Sequence, residues 1–366
     1  MKKGLFFTDE RYTNINFDEA NGVKKKINSQ VKALNITEEM TCRLLVLPKI
    51  QIRHIFGLFV GSGYKQFVDE ISNIDFIYFR RIIPVNNSLI KFLKEIKKNN
   101  NNCKIVYEIP TYPYDKEYRG FVEKISLCID RFFRNELKKY VDRIVVVSND
   151  DPIVFGIRTI KIINGVDCTD IPVQIPVIND KDIHLIVVAQ FAHWHGYDRL
   201  IEGMNNYYKK EQSHKVYIHF VGGGSELQYY KHLIRQYNLS AYVFFYSLLY
   251  GEELANVFNK VNLAVCSLGS HRKGIYLSSE LKSREYLARG LPIISSARID
   301  VLPPDYKYVL YVPENESAID IEYVVAFYEN LSIKQSVPNM INEIRKFTEE
   351  NCDISKTMRP VIEYLK

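Results

Sequence analysis

The chain has 366 residues, of which 46% are apolar and 25% charged, and its formal net charge is +6. This length favours two domains over one core, and the composition is that of a globular protein, which excludes a disordered or fibrous chain. The small positive excess suits anionic ligands but does not indicate nucleic acid. The opening residues lack the apolar region of a secretion signal, and no run of 18 uncharged apolar residues follows, so a cytoplasmic protein is expected.

Strand-like and helix-like segments alternate through both halves, which predicts an α/β protein with parallel sheets. In the first half we predict strands at CRLLVLP, IDFIYFR, CKIVYEIP and DRIVVVS, helices at SLIKFLKEIKKN and FVEKISLCIDRFFRNELKKY, and a closing IKIINGVD. In the second half we predict strands at IHLIVVAQF, KVYIHFVGGG, YVFFYSLL, NLAVCSLG and LPIISSA, with helices around 197–210, 225–238, 251–259 and 279–289.

The stretch that contains Pro172 and Pro176 has no periodicity and is interpreted as a linker. We therefore expect one doubly wound domain over 1–170 and a second over 171–340. A helical segment over 341–366 is expected to return to the first domain. The six cysteines are widely spaced, which predicts reduced thiols.

Chemistry is expected in the loops after strands, where helix N-termini favour anions. On the helix near 279–289, Lys282 and Glu285 are three positions apart and share a face near the N-terminus, where a diphosphate is favoured. An ordinary surface ion pair is the alternative interpretation.

The segment REYLARGLPII resembles the signature region of the large retaining family of GT-B glycosyltransferases (family 4-like), in which a glutamate opens the pattern E-x-[ML]-A-x-G-x-P. This resemblance implies two Rossmann-like domains around a central cleft. It also implies that Glu285 contacts the ribose of a nucleotide-sugar donor and that Lys282 binds its phosphate. A second family glutamate falls at Leu277, which is a departure. We therefore expect the preceding loop to hold the diphosphate or sugar, with three candidates, Arg272, Lys273 and Gly274.

The segment VVAQFAHWHGYDRLIEGM resembles another phosphate-binding region of that family, but Gln190 and His195 replace its arginine and lysine. Trp194 and His195 are the candidate donor contacts here, and His195 is also a candidate catalytic residue. Core packing is the competing interpretation.

Two further segments extend the resemblance. FVGGGSE fits the glycine loop of the second domain, with Gly222 and Gly223 as donor-binding candidates. YSLLYGEELANVFNKVNLAVCSL fits the nucleotide-base region, where backbone groups near Ser247 and Leu248 are the candidates.

In the first half, NGVKKKINSQVKAL resembles the family's first glycine loop, with Gly22 allowing close approach of the donor. The tyrosine-rich segment VYEIPTYPYDKEYRG suits a polyhydroxylated acceptor. Glu108 and Glu117 are the candidate acid/base or acceptor-binding residues, and Arg80 is expected at the same edge. A rigid, packed loop is an equal alternative.

The resemblance implies a metal-independent glycosyltransferase of the hexosyltransferase type, with a nucleotide-diphosphate sugar as donor and no cofactor. A glycan or lipid-linked acceptor, retention of configuration, and a role in a bacterial surface polysaccharide, capsule or lipopolysaccharide are expected on the same basis. A sugar-nucleotide epimerase and a non-catalytic GT-B partner subunit are the alternatives.

The run Lys24, Lys25 and Lys26 raises peripheral contact with anionic lipid at the inner membrane face as an alternative to a purely cytoplasmic location. A solvated helix face is the favoured interpretation of this run.

Overall fold

The computed structural model describes residues 1–9, 22–36, 38–47, 64, 67, 69–71, 73–115, 120–176 and 182–366. Its contacts divide the chain into two compact units, one of Met1–Asn164 with Ile354–Lys366 and one of Gly165–Asp353. The division falls between Asn164 and Gly165, and the C-terminal segment belongs to the first unit.

The first unit contains a seven-stranded sheet in the order β2-β1-β3-β4-β5-β7-β6. Neighbouring strands are parallel except for the antiparallel pair β6 and β7. The strands are β1 (Lys2–Asp9), β2 (Met40–Leu47), β3 (Phe76–Arg80), β4 (Lys104–Ile109), β5 (Arg143–Val147), β6 (Ile153–Val154) and β7 (Ile157–Ile162). The helices are α1 (Gly22–Asn35), α2 (Asn87–Asn99), α3 (Phe121–Phe133), α10 (Ile354–Thr357) and α11 (Arg359–Leu365), with short 3₁₀ turns at Asp69–Ile71 and Arg134–Lys139.

Helices cover both faces of this sheet because its strands are apolar on both sides. One face packs on α2, whose N-cap Asn86 accepts a hydrogen bond from the Leu89 amide. The other face packs on α1 and on the C-terminal segment, where Met358 is fully buried against the same core as Ile27. Burial of these apolar side chains fixes the segment to the first unit.

The second unit contains a six-stranded parallel sheet in the order β10-β9-β8-β11-β13-β15. Its strands are β8 (Asp182–Phe191), β9 (Lys215–Gly224), β10 (Val243–Tyr246), β11 (Leu263–Val265), β13 (Ile293–Ser295) and β15 (Val309–Tyr311), beside a small pair of β12 (Leu277–Ser278) and β14 (Arg298–Ile299). Its helices are α4 (Tyr197–Tyr207), α5 (Leu227–Gln236), α6 (Gly251–Phe258), α7 (Leu281–Ala288), α8 (Ile321–Lys334) and α9 (Val337–Asn351), with 3₁₀ turns at Cys168–Asp170, His193–His195 and Ser270–Lys273.

In the order of the chain, the six strands of the second sheet run 3-2-1-4-5-6, the Rossmann order. The predicted α/β fold class with two Rossmann-like parallel sheets is confirmed. All six cysteines are free thiols, with Cys128 exposed and the others buried. None of the helices in the described ranges combines the length and apolarity needed to cross a membrane.

Candidate functional site

The predicted donor residues of the second unit gather at one edge of its sheet. The carboxyl ends of parallel strands share an edge, and ligands bind where the strand order reverses. Here the order reverses between β8 and β11. The candidates at this edge are Gln190, Trp194 and His195 at and after the end of β8, Gly222 and Gly223 in β9, Ser247 and Leu248 after β10, Arg272, Lys273 and Gly274 after β11, and Lys282 and Glu285 on α7.

Backbone contacts join the loop after β8 to the loop after β11. The His195 carbonyl accepts hydrogen bonds from the amides of Leu268 at 2.7 Å and Gly269 at 3.1 Å. Gly196 has φ of 66°, and a Cβ added there would lie 2.5 Å from the Gly269 nitrogen. The two loops at the reversal point therefore form one fixed backbone unit that only glycine permits.

Arg272 holds these loops together. Its guanidinium donates to the His193 carbonyl at 2.7 Å, to both carboxylate oxygens of Asp198 at 2.9 and 2.7 Å, and to Glu316 at 3.1 Å. A hydrogen bond from Arg272 lowers the pKa of the Glu316 carboxyl to about 2. Because every N–H group of this side chain has an acceptor, the predicted phosphate contact would require Arg272 to break an existing bond. The structure gives Arg272 a positioning role.

Lys273 and Lys282 supply positive charge at the same edge. The Lys273 ammonium lies 3.3 Å from the ring centroid of Trp194, whose side chain is 40% exposed. The Lys282 ammonium donates to the Tyr197 hydroxyl at 3.2 Å and is largely buried. Next to Lys273, Gly274 ends the short 3₁₀ turn with φ of 67°.

The His195 ring packs beside the two aromatic rings that these lysines contact, with its centroid 5.6 Å from that of Trp194 and 5.4 Å from that of Tyr197. Burial, followed by the charges of Lys282 and Lys273, lowers the pKa of His195 to about 3. Its Nδ1 accepts a hydrogen bond from the Ala192 amide at 3.2 Å, which assigns the proton of the neutral ring to Nε2. At neutral pH His195 is therefore an uncharged N–H donor. It is better suited to donate a hydrogen bond to an anionic oxygen than to abstract a proton.

Helix α7 positions Lys282 and Glu285. Its inner side is fixed by Arg284, which is fully buried and paired with Asp300, and by Tyr286, whose hydroxyl accepts from the Val188 amide at 2.9 Å. Lys282 and Glu285 lie on the remaining, partly exposed side of the helix. Gly290 follows the C-cap residue of the helix and has φ of 86°.

Sequence reasoning missed Glu280, which precedes α7 at its N-cap position. Its carboxylate accepts a hydrogen bond from the Ser267 amide at 3.4 Å and lies 3.7 Å from the Lys282 ammonium. Leu277, which stands where the second glutamate of the family would fall, is 53% exposed on β12. The signal that could have found Glu280 is its place two residues before Lys282 at the helix N-terminus.

The glycines of β9 differ in role. Gly222 pairs with Ala189 of β8, and a Cβ on Gly222 would lie 2.1 Å from the Ala189 carbonyl oxygen. Gly223 pairs with Gln190, and a Cβ on Gly223 would meet no atom within 4 Å. Gly222 is therefore required by strand packing, whereas Gly223 and the exposed Gln190 leave an open part of the edge.

Ser247 and Leu248 follow β10, two strands away from β8. Both are exposed, with Leu248 40% accessible. They lie at the far end of the same sheet edge, and their contact with a nucleotide base stays a prediction.

In the first unit, Glu108 occupies a buried ionic cluster. Its carboxylate accepts hydrogen bonds from Lys26 at 2.9 Å, Gln30 at 2.9 Å and Tyr78 at 2.8 Å, and lies 3.6 Å from Arg80. Burial alone would raise the pKa of Glu108, but Lys26, Arg80 and the hydrogen bonds hold it at about 2. A fully buried, ionised carboxylate surrounded by donors is not placed to exchange protons with a substrate, which argues against Glu108 as the acid/base residue.

Of the other first-unit candidates, the structure describes two, Gly22 and Arg80. Gly22 is the first residue of α1 and is half-buried. Arg80 ends β3 beside Glu108, at the edge where it was expected, and is buried. Glu117 lies outside the described residues, so its role stays a prediction.

Residues 171–304 match the family described as glycosyl transferases group 1. No curated protein matches the sequence.

Solved structures match over the whole chain. A glycosyltransferase from Rickettsia africae superimposes with a TM-score of 0.64 at 14% identity, covering 100% of this chain and 98% of that one. The lipopolysaccharide outer core galactosyltransferase WaaB, in its apo form, gives 0.61 at 12%, covering 100% and 99%. HepE from Anabaena, solved with UDP, gives 0.62 at 11%, covering 100% and 99%.

The fold and the comparisons together define the class of protein to which this structure is similar. The chain has the fold of the GT-B glycosyltransferases, and the group 1 match covers the loops after β8, β9, β10 and β11 as well as α7.

Proposed function

We propose that this protein transfers a sugar from a nucleoside diphosphate sugar to a hydroxyl group of an acceptor. The proposal rests on the groups that lie at the edge of the second sheet where the strand order reverses, between β8 and β11. There, within the matched residues, Lys273 contacts the Trp194 ring, Lys282 contacts the Tyr197 hydroxyl, and the His195 ring packs beside both aromatic rings, which supports a diphosphate site formed by these three groups.

Each group has a role in the proposed reaction. Lys282 and Lys273 neutralise the charge that grows on the leaving diphosphate, and the His195 Nε2–H donates to one of its oxygens. Glu285, one turn along α7 from Lys282, accepts hydrogen bonds from the donor ribose. In the proposed mechanism the two lysines and the N-terminal dipole of α7 take the place of a metal ion. The transfer is therefore metal-independent.

The donor is proposed to be a UDP-hexose, and the reaction to retain configuration. HepE has been solved with UDP and with UDP-glucose, which supports this nucleotide. The resemblance at Glu285 supports retention.

The acceptor is proposed to be a glycan or lipid-linked saccharide in the assembly of a bacterial surface polysaccharide such as lipopolysaccharide. The similarity to WaaB supports this setting. We propose that the protein works in the cytoplasm and reaches the membrane peripherally.

Thermal unfolding with added nucleotides tests the proposal. UDP, GDP, ADP, CMP and dTDP are compared on the native protein, on Glu285→Ala, and on Glu202→Ala as a matched control from an exposed face of α4. UDP is expected to stabilise the native protein and Glu202→Ala, by about 2.7 kcal/mol at a hundredfold excess over Kd, and to lose most of this effect in Glu285→Ala. EDTA should change nothing.

Three other outcomes have distinct meanings. If no nucleotide stabilises the protein, the chain is a non-catalytic partner subunit. Conversion of a nucleotide sugar to its epimer without an acceptor would indicate an epimerase. A requirement for divalent cations would contradict the metal-independent mechanism.

A further inference from the structure

Helix α3 carries a row of apolar side chains on its outer face. Phe121 is 79% exposed and Phe132 is 74% exposed. They are eleven residues apart, which is three helical turns, so both point in the same direction. The half-buried Ile125 and the exposed Cys128 lie between them in the same row. We name Phe121, Ile125, Cys128 and Phe132 the outer row.

The opposite face of α3 is fixed in the core, so the outer row cannot turn inward. Leu127 and Ile129 are buried. Asp130 is fully buried and accepts hydrogen bonds from the Val85 amide at 2.9 Å and from the Tyr114 hydroxyl at 2.6 Å. Rotation of the helix would break these bonds and bury exposed charges.

Basic residues accompany the outer row. Lys124 and Arg131 are each three positions after a residue of the row, so they form a parallel row on one side of it. From Phe121 to Tyr140 the chain has five basic residues, Lys124, Arg131, Arg134, Lys138 and Lys139, against three acidic ones, Glu123, Asp130 and Glu136. Asp130 is buried, Arg131 and Arg134 pair with Asp115 at 2.8 and 2.7 Å, and Lys139 pairs with Glu136 at 2.5 Å. The positive charge beside the outer row therefore rests mainly on the exposed Lys124 and Lys138.

We propose that the outer face of α3 is a docking surface for anionic membrane lipid. A row of phenylalanines beside lysine and arginine is typical of helices that lie in a membrane interface, where the rings enter the acyl region and the cations meet the headgroups. Two phenylalanines exposed to this extent, three turns apart, are unfavourable in water and gain from transfer to lipid.

This surface differs from the basic run suggested by the sequence. Lys26 of that run is buried and paired with Glu108, so only part of the run faces solvent. The outer row would bring the protein to a lipid-linked acceptor without depending on α1. The inference rests on the proposed function, because it names the surface that reaches the acceptor. Vesicle binding tests it in the absence of nucleotide and without an activity assay.

The experiment is co-sedimentation of the full chain with vesicles of phosphatidylcholine containing phosphatidylglycerol, and with vesicles of phosphatidylcholine alone. We expect binding to the anionic vesicles only. The double variant Phe121→Ser with Phe132→Ser should bind about a hundredfold more weakly, roughly tenfold for each ring. Lys124→Glu with Lys138→Glu should weaken binding about tenfold or more. Ile333→Ser is the matched control, because Ile333 is 84% exposed on α8 of the second unit and should not matter.

Cys128 provides a second readout, because it is the exposed cysteine and lies within the outer row. A polarity-sensitive fluorophore on Cys128 should shift to shorter wavelength when anionic vesicles are added. Circular dichroism and stabilisation by UDP show whether each variant still folds and binds nucleotide, which separates failure of this inference from failure of the proposed function.

Three results would overturn the proposal: no binding to anionic vesicles, equal binding by the double phenylalanine variant, or an unchanged fluorophore. A concentration-dependent dimer that the double phenylalanine variant abolishes, without vesicle binding, would overturn it in favour of a second copy of the chain.

Discussion

Lys282 brings a largely buried ammonium to the N-terminal turn of α7, where it contacts the Tyr197 hydroxyl. If it binds phosphate, Lys282→Met should weaken binding of UDP by about ten- to a hundredfold, because charge-assisted hydrogen bonds contribute ~1.5–3 kcal/mol. Calorimetry with UDP and with uridine checks this expectation, since the nucleoside lacks the diphosphate and should bind both proteins alike.

Lys209→Met is the control, because Lys209 is an exposed lysine of the same unit just beyond α4. Equal losses for uridine and UDP in Lys282→Met would show that the residue supports the fold of the site and not the phosphate.

The pH dependence of stability tests the environment of His195. Burial and the charges of Lys282 and Lys273 lower the pKa of His195 from 6.5 to about 3. Below pH 6.5 the unfolded chain binds a proton that the folded protein does not bind until about pH 3. The free energy of unfolding should therefore fall as the pH drops through this window, by up to about 1.4 kcal/mol per pH unit for one proton.

His195→Gln removes this titration, so its unfolding free energy should decline less steeply between pH 6.5 and pH 4 in urea titrations. His193→Gln, at an exposed position two residues earlier, should keep the native slope. Identical slopes for all three proteins would contradict the assigned environment.

Individual residues show where sequence reasoning reaches its limit. Residue type and spacing placed Lys282 on the partly exposed side of α7, because helical period and capping are local properties. The surroundings of Arg272 and Glu108 depend on partners distant in the chain, Glu316 and Lys26 respectively. No local pattern reveals that a charged side chain already has its partners. The sequence therefore offers Arg272 as a diphosphate or sugar contact, and Glu108 as an acid/base or acceptor-binding residue with a packed loop as the equal alternative.

At the scale of elements, two glycines with nearly the same backbone conformation offer a matched test. Gly196 has φ of 66° and Gly274 has φ of 67°. A Cβ on Gly274 meets nothing within 4 Å, whereas a Cβ on Gly196 would lie 2.5 Å from the Gly269 nitrogen. Gly274→Ala should cost about 1 kcal/mol of stability for the left-handed conformation alone, and Gly196→Ala about 3 kcal/mol or more.

Urea unfolding of the two variants measures this difference. Gly196→Ala should also lose stabilisation by UDP, because it separates the loop after β8 from the loop after β11. Equal losses of unfolding free energy in the two variants would mean that the two loops can separate at little cost in stability and do not form one fixed unit.

Elements of the core were predictable because buried parallel strands have continuous apolar runs. The strands β3, β4, β5 and β9 lie within the segments that the sequence predicts, and β8 begins one residue before its predicted segment, at Asp182. β1 was missed because its first residues are Lys2 and Lys3, which resemble a charged terminus. Pairing order is not a local property, so the reversal between β8 and β11 emerged only from the fold.

At the scale of the whole molecule, the C-terminal segment is part of the first unit although the second unit precedes it in the chain. Met358 and Leu365 are fully buried there, and the Gln30 amide of α1 lies 3.7 Å from the Met358 sulfur. The sequence predicts a helical segment over 341–366 that returns to the first domain, and the part that belongs to the first unit is Ile354–Lys366. The residues that it packs against cannot be read from the sequence, because an apolar helix face fits many cores.

Hydrogen exchange can report the local stability of each unit separately in one experiment. Met358→Ala should cost about 2–5 kcal/mol by leaving a cavity beside α1, and so raise exchange in β1, α1 and the C-terminal segment. UDP should instead slow exchange in the loops after β8 and β11 and in α7, equally in the variant and the native protein, because the proposed donor groups all belong to the second unit. Ile333→Ala, which removes an exposed side chain, should leave both patterns unchanged. Faster exchange in the second unit of Met358→Ala, or loss of its protection by UDP, would show that the segment stabilises the donor site as well as the first unit.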